Sequence, residues 1–291
     1  MYAQIANTSP MVNFSAIDVT QSPLTLDNLD VLNLYGKDGR DVYLTSILDV
    51  TTDPKWLNGV VPDASGKTRG ATSCAVIVND HGSGLVDVFY MYFYAYNVGN
   101  TVLFHELGDH VGDWEHNMIR FQDGVPQQVW YSQHSHGEVF TYNAVQKEGI
   151  RPIGYAAVGS HATYATAGTH DHTIPGLNLP RGLIQDYTSK GTLWDPIRSA
   201  YLYTYDAETR TFHCADDGIS PLGAMNFKGK WGDEQYARDD PRQGEFFGFS
   251  KFTSGPTGPR NKQLNRTNVC PDDGIRCNIR DSLARDTTPL S

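Results

Sequence analysis

Apolar residues and tyrosines alternate along residues 85–97, LVDVFYMYFYAYN, and this is the clearest pattern in the chain. A two-residue period predicts a β-strand with two different faces. One face carries the large apolar side chains Phe89, Met91 and Phe93, and the other carries four phenols, Tyr90, Tyr92, Tyr94 and Tyr96. The phenol face fits either a strand buried on both sides or the floor of a cleft that binds sugar rings.

Other segments also have the composition of strands. Residues 114–121 and 127–136 are separated by QDGVP, in which the Asp-Gly pair favours a hairpin turn. Residues 151–165 predict one more strand, and residues 199–214 predict a second hairpin around DAET. Helical periodicity is scarce, so we predict an all-β fold, mainly strands with long loops. Its simplest form is one domain over residues 1–291 with two packed antiparallel sheets, like a sandwich or jelly roll.

Composition and charge exclude some partners. The chain has 23 Lys and Arg against 33 Asp and Glu, which gives a net charge of −10. An acidic chain repels a phosphate backbone, so we expect no nucleic-acid partner. No apolar run approaches the roughly 20 residues that span a bilayer, so we expect no membrane span.

Four cysteines and three sequons bear on the cellular compartment. Cys270 and Cys277 flank PDDGIR and can close a short disulfide loop, which would leave Cys74 to pair with Cys214, although four free thiols fit equally well. The cysteines and the sequons at Asn7, Asn13 and Asn265 favour a secretory, vacuolar or extracellular protein. The first residues lack an apolar signal core, which favours the cytoplasm unless a signal was removed. The localisation stays open.

Histidines and acids concentrate in one part of the chain. Eight of ten histidines lie between residues 105 and 172. In GDWEHN, strand alternation places Asp113, Glu115 and Asn117 on one face and His116 on the other. Acids two residues apart on a strand lie roughly 7 Å apart at the backbone, close enough to work as an acid–base pair or to bind a cation.

Two kinds of chemistry and one structural role fit these residues. The metal-free hypothesis takes as catalytic residues Asp113, Glu115, His116, His134 and His161, and as substrate-binding residues Tyr90, Tyr92, Tyr94, Tyr96, Asn117 and Gln133. The metal hypothesis uses two His-x-His pairs, His134 with His136 and His170 with His172, to bind a divalent cation. The structural interpretation is a polar network that orders one end of the sheet.

Several unusual motifs occur together and resemble a known family. They are VFYMYFYAYN, HVGDWEHNMIRF, WYSQHSHGE, PIGYAAVGSHATYATAGTHDH, FKGKWGD and SGPTGPRNK. In this order they resemble the vacuolar protein sorting-associated protein 62 family of fungi and plants, over about residues 85 to 260. The resemblance implies a role in delivering proteins to the vacuole, and it implies no settled catalytic residues.

Three functions are compatible with these observations. The first is a hydrolase or lyase acting on a carbohydrate or similar polyhydroxylated substrate. In a hydrolase, Asp113 and Glu115 would share the acid and base roles; in a lyase, His134 or His161 would accept the proton. The second is a non-catalytic module for glycan binding or vacuolar trafficking with a structural cation. The third is a fungal small-molecule biosynthetic enzyme of the cyclase type.

Overall fold

A computed structural model describes residues 1–19, 23–134, 136–171 and 182–284. Strands dominate, and both α-helices are short. In chain order the elements are α1 Tyr2–Asn7, β1 Thr8–Val12, β2 Ser15–Ala16, β3 Tyr43–Ser46, β4 Cys74–Gly82, β5 Leu85–Asn97, β6 Asn100–Val102, β7 His105–Leu107, β8 His110–Gln122, β9 Val125–Gln133, β10 His136–Thr141, β11 Lys147–Glu148, β12 Arg151–Pro152, β13 Tyr155–Ala156, β14 Thr163–Tyr164, β15 Gly168–Asp171, β16 Gln185–Thr188, β17 Ala200–Asp206, β18 Thr211–Cys214, α2 Leu222–Asn226, β19 Glu245–Phe246, β20 Phe249–Ser250 and β21 Ile279–Arg280. Five 3₁₀ segments, Leu29–Leu34, Val50–Thr52, Lys55–Asn58, Pro196–Ser199 and Pro259–Asn261, complete the described secondary structure.

One eight-stranded sheet forms the centre of the fold. Its strand order is β18-β17-β4-β5-β8-β9-β10-β21. The strands pair antiparallel except at β17–β4 and β10–β21, which are parallel. The two longest strands, β5 and β8, have 13 residues each and lie side by side in the middle. The segment with the clearest alternation is therefore a central strand.

The larger core cluster lies on one side of this sheet, here called the core face, and a smaller cluster around Ile119 and Tyr131 lies on the other side. Phe89, Met91, Phe93 and Trp114 pack on the core face in one cluster with residues of β3, α2 and the 3₁₀ segment Leu29–Leu34. The second layer contains the three-stranded sheet β2-β1-β3. The all-β class is confirmed. The two layers are unequal, because one sheet has eight strands and the other has three.

The GDWEHN and FKGKWGD motifs are in close backbone contact, and a glycine in each motif makes this contact possible. Gly112 begins the GDWEHN motif with a φ of +67°, and a Cβ there would lie 1.9 Å from the Trp231 carbonyl oxygen. In FKGKWGD, a Cβ on Gly232 would lie 1.9 Å from the carbonyl oxygen of Val111. Only glycine allows this approach from both sides. These contacts fix the start of β8 against the segment that carries Trp231.

The structure confirms both predicted hairpins and corrects one strand. β8 and β9 are joined at Asp123 and Gly124, which have φ values of +52° and +76°, and β17 pairs with β18. The prediction of one strand over residues 151–165 is wrong. Its middle reverses direction at Gly159 and His161, with φ values of +85° and +59°, so that β13 pairs with β14. Left-handed backbone of this kind ends a strand.

One of the two disulfide predictions is confirmed. Cys270 and Cys277 are bonded. The pairing of Cys74 with Cys214 is wrong, because both are free thiols. Strand β17 lies between them, which separates their strands by roughly 10 Å, more than the roughly 7 Å that a disulfide can bridge. Within the described residues, no helix is both long and apolar enough to cross a bilayer.

Candidate functional site

The tyrosines of β5 and the acids of β8 share the face of the large sheet that lies opposite the core face. In the β5–β8 register, Tyr94 is opposite Asp113, Tyr92 is opposite Glu115, and Tyr90 is opposite Asn117. Directly opposed residues of an antiparallel pair point to the same side. This side, with Tyr90, Tyr92, Tyr94, Asp113, Glu115 and Asn117, is called the tyrosine face below.

The β13–β14 turn covers part of the tyrosine face. Its His161 stacks on Tyr94, with ring centroids 3.9 Å apart and the planes 2° from parallel. The same imidazole places Nδ1 3.1 Å from Oδ2 of Asp113. Trp194 packs edge-on against Tyr92 with centroids 5.4 Å apart. The left-handed turn at His161, absent from a regular strand, is what brings this histidine onto the acids.

Asp113 and Glu115 are both buried but have different partners. Each is 6% exposed. Asp113 is paired with His161, whereas Oε2 of Glu115 has no hydrogen-bond partner among the described residues. Burial, and next the charge of Asp113, raise the pKa of Glu115 well above its ordinary value. The site thus sets an acid whose protonated form is favoured beside the Asp113–His161 pair.

His110 lies at the start of β8, near the same acids. Its Nδ1 is 2.7 Å from the Gly112 carbonyl oxygen. Burial lowers the pKa of His110, an effect that the charge of Asp113 opposes. Sequence reasoning counted this histidine in the cluster but gave it no role. Its hydrogen bond to Gly112 points to a structural role at the strand end.

His116 lies on the opposite face of the sheet from Asp113 and Glu115. Its Nε2 accepts a hydrogen bond from the Arg266 guanidinium at 2.8 Å. Burial, followed by the charge of Arg266, lowers the pKa of His116 well below its ordinary value. His116 is therefore a neutral acceptor on the core face, and the structure separates it from the two acids with which it was grouped.

The predicted substrate-binding residues are partly engaged with one another. The Tyr92 hydroxyl donates to Oδ1 of Asn117 at 3.0 Å, and the Asn117 amide donates to the Trp130 carbonyl oxygen at 3.0 Å. The Gln133 amide donates to Glu138 at 3.1 Å. Burial raises the pKa of Tyr90, Tyr92, Tyr94 and Tyr96, so all four phenols are neutral.

A second polar cluster surrounds Asp186 on β16, a residue that the sequence reasoning missed. This buried carboxylate accepts hydrogen bonds from Ser160 at 2.7 Å and Tyr164 at 2.6 Å, and it lies 2.7 Å from Nε2 of His134. These hydrogen bonds hold the pKa of Asp186 below its ordinary value against the opposing effect of burial. No motif surrounds Asp186 in the sequence, so only the folded chain shows this site.

The metal hypothesis relied on two His-x-His pairs, with His134 and His136 predicted on one strand face and His170 and His172 predicted in a loop. His134 and His136 instead lie on either side of the turn between β9 and β10, and His134 has a φ of +53°. His170 stacks on Tyr164 with centroids 3.8 Å apart, and His172 lies outside the described residues. In the described part of the chain, no group of three or more His, Cys, Asp or Glu side chains is arranged to hold a metal.

One pocket of the described structure lies away from the acids. It has a volume of about 340 Å³ and is lined by residues of β1, β3 and the segment around Tyr236, including Asp49, Asp233 and Arg242. Asp113, Glu115 and His161 are not among its lining residues. The tyrosine face itself is partly covered, because Tyr90, Tyr92 and Tyr94 are half-buried while Asp113 and Glu115 are buried.

Comparison with known sequences tests the family resemblance. Residues 65–201 match the sequence model of the family described as vacuolar protein sorting-associated protein 62. The family resemblance is confirmed. The matched region contains the tyrosine face, the β13–β14 turn and Asp186.

Two Saccharomyces cerevisiae proteins are similar to this chain over most of its length. The putative vacuolar protein sorting-associated protein TDA6 is 37% identical over 86% of this chain and 59% of its own length. Vacuolar protein sorting-associated protein 62 is 36% identical over 78% of this chain and 52% of its own length. The chain thus spans little more than half the length of these curated relatives.

One solved structure, titled as a non-toxic HaNLP3 protein, also aligns. It covers 49% of this chain and 64% of that protein at 12% identity, with a TM-score of 0.26. A score this low does not indicate a shared overall fold.

Proposed function

We propose that this chain acts in vacuolar protein sorting as an acid–base hydrolase of a carbohydrate-like substrate, with its site on the tyrosine face. The role in sorting is inferred from the names of the two yeast relatives. The observation that carries the chemistry is the geometry of two buried acids with unlike partners: Asp113 pairs with His161, whereas Oε2 of Glu115 has no partner among the described residues, and burial raises the pKa of Glu115.

Neighbouring acids in unlike environments are a recurrent arrangement in acid–base catalysis, because one stays protonated while the other stays charged. In this proposal Glu115 donates its proton to the leaving oxygen of the substrate. The Asp113–His161 pair accepts a proton from the attacking water, so that water adds across the broken C–O bond. The phenols of Tyr92 and Tyr94 supply an amphipathic surface for the substrate ring.

A specific observation favours a second candidate, a non-catalytic ligand-binding module. Asp113 and Glu115 are each only 6% exposed, and the Tyr92 and Asn117 polar groups are bonded to one another. In the catalytic proposal, the β13–β14 turn, whose His161 contacts Asp113, moves away to admit substrate. If that turn stays closed, the tyrosine face is a structural network and the ligand binds elsewhere.

Release of reducing ends from a panel of polysaccharides tests the hydrolase. The Glu115→Gln variant should lose roughly a hundredfold or more in rate, the range that a general acid contributes, while it remains folded by circular dichroism. His213→Ala is the matched control, because this histidine is exposed on β18. Equal rates for Glu115→Gln and the wild type would remove Glu115 from the mechanism.

A yeast assay separates sorting from catalysis. We expect the chain to reduce missecretion of a vacuolar reporter in S. cerevisiae lacking both relatives, and we expect Glu115→Gln to fail. Rescue by Glu115→Gln as good as that by the wild type would support the non-catalytic module. No rescue by wild-type protein that is present at normal levels would contradict the sorting role.

A further inference from the structure

Two hairpins present bare apolar tips to solvent. The β6–β7 tip carries Leu103 and Phe104, which are 55% and 98% exposed, and the β19–β20 tip carries Phe247, which is 83% exposed. All three residues have left-handed backbone, with φ values of +47°, +71° and +50°. Non-glycine residues adopt this conformation at a cost, so apolar side chains on such turns are unusual.

The two tips belong to one rigid unit. The His105 and Phe246 rings at their bases stack with centroids 4.0 Å apart, and Phe246 contacts Phe247 at 4.6 Å. The Gly108 amide donates to the carbonyl oxygens of Ser250 and Lys251 at 3.1 and 2.9 Å. The hairpins therefore hold their apolar ends side by side.

We propose that Leu103, Phe104 and Phe247 form a membrane-docking element that inserts into the interface of a lipid bilayer. This function is independent of the hydrolase proposed above. Aromatic side chains partition to the headgroup region, where their rings leave water without a shaped pocket to receive them. A few inserted side chains give reversible binding and do not anchor the chain permanently.

The small area of the tips favours a bilayer over a protein partner. A stable protein interface buries about 800 Å² on each side. Three side chains on two convex turns offer much less than this, so a second copy of the chain would not be held. A fluid bilayer needs no matching concave surface.

The charges at the base of the tips favour a zwitterionic membrane. Lys251 lies 3.7 Å from Glu106, and Arg238 lies 2.9 Å from Glu245, so acids and bases pair locally. The whole chain has a net charge of −10 and repels anionic lipid. Phosphatidylcholine is therefore the lipid surface that this element fits.

Flotation of the full chain with phosphatidylcholine vesicles tests the proposal. We expect the wild type to float. The double variant Phe104→Ser, Phe247→Ser should bind at least roughly tenfold more weakly, because neither position then buries a ring in the interface. The control Ile150→Ser removes a side chain that is 84% exposed on another turn, between β11 and β12, and should bind like the wild type.

A fluorescence measurement supports the flotation result. In Phe104→Trp, vesicles should shift the tryptophan emission to shorter wavelength if position 104 enters the interface. Equal flotation of the double variant and the wild type, or no flotation of either, would overturn the proposal. If the chain binds only phosphatidylserine vesicles, and if added salt abolishes that binding, the docking is electrostatic and the proposal is overturned. A dimer that the double variant disrupts would show a protein interface.

Discussion

His161 links the sheet to the turn that covers it. The ring stacks on Tyr94 and pairs with Asp113, a carboxylate that is otherwise buried. Neither contact is visible in the sequence, where His161 falls within a segment predicted as one continuous strand. The turn at Gly159 and His161 determines the position of the imidazole, so its role depends on backbone geometry as much as on residue type.

We expect His161→Ala to lower the free energy of unfolding by about 1–3 kcal/mol, because it leaves the buried Asp113 carboxylate without its partner. Urea denaturation measures this change. The control His213→Ala alters an exposed side chain and should stay within about 0.5 kcal/mol of the wild type. Equal stability of the two variants would show that the Asp113–His161 pair contributes nothing to the fold.

The β8 strand carries two different environments along one sequence. The alternation of GDWEHN is confirmed, with Asp113, Glu115 and Asn117 on the tyrosine face and Trp114 and His116 on the core face. This assignment could be made from the sequence because a strand has a fixed two-residue period. The neighbours of each side chain could not be assigned, since Arg266 and His161 come from distant segments.

The loop before β8 contains a buried acid that should make stability depend on pH. Asp109 is 1% exposed, and Oδ1 accepts the Gly99 amide at 2.7 Å. Burial, and then its hydrogen bond with Glu106, raise the pKa of Asp109 to about 7. Tyr96 and the Lys251 ammonium, 4.0 Å away, also face this carboxyl.

The pKa of Asp109 in the folded protein is above its ordinary value of 3.8. The neutral carboxyl therefore stabilises the fold fully at low pH, and this stabilisation is lost as the pH rises through the pKa of the folded state. The melting temperature should therefore fall between about pH 5 and about pH 8. Asp109→Asn keeps the acceptor for Gly99 and should reduce that fall by several degrees. Differential scanning calorimetry at about pH 5 and about pH 8 measures the melting temperature of each variant.

Asp206→Asn is the control for this experiment. Hydrogen bonds from Thr209 lower the pKa of Asp206, so it titrates below that pH range. Its replacement should leave the fall in melting temperature unchanged. A fall that Asp109→Asn leaves intact would assign the pH dependence to other groups.

The whole molecule contains one disulfide and two free thiols. Cys270 is bonded to Cys277, Cys74 is fully buried at the start of β4, and Cys214 is half-buried on the edge strand β18. Desolvation raises the pKa of the Cys74 thiol, which suppresses its thiolate. Spacing along the chain predicted the short loop, but the strand order decided against the longer pairing.

A thiol-reactive dye should therefore label two cysteines in unfolded, unreduced protein and four after reduction, because only two are free. In the native protein Cys74 should stay unlabelled while Cys214 reacts. Mass spectrometry of labelled peptides identifies the sites. No labelling of the unreduced, unfolded chain would mean that Cys74 and Cys214 form a second disulfide.

The sequence by itself determined the all-β class, both hairpins, the two faces of β5 and β8, and the family resemblance. These depend on local chemistry: a two-residue period, an Asp-Gly turn and motifs in order. Only the tertiary structure decided which side chains meet. It placed His161 on Asp113, His116 on Arg266 and Asp186 on His134, because strand order and left-handed turns bring together residues that are far apart in the chain.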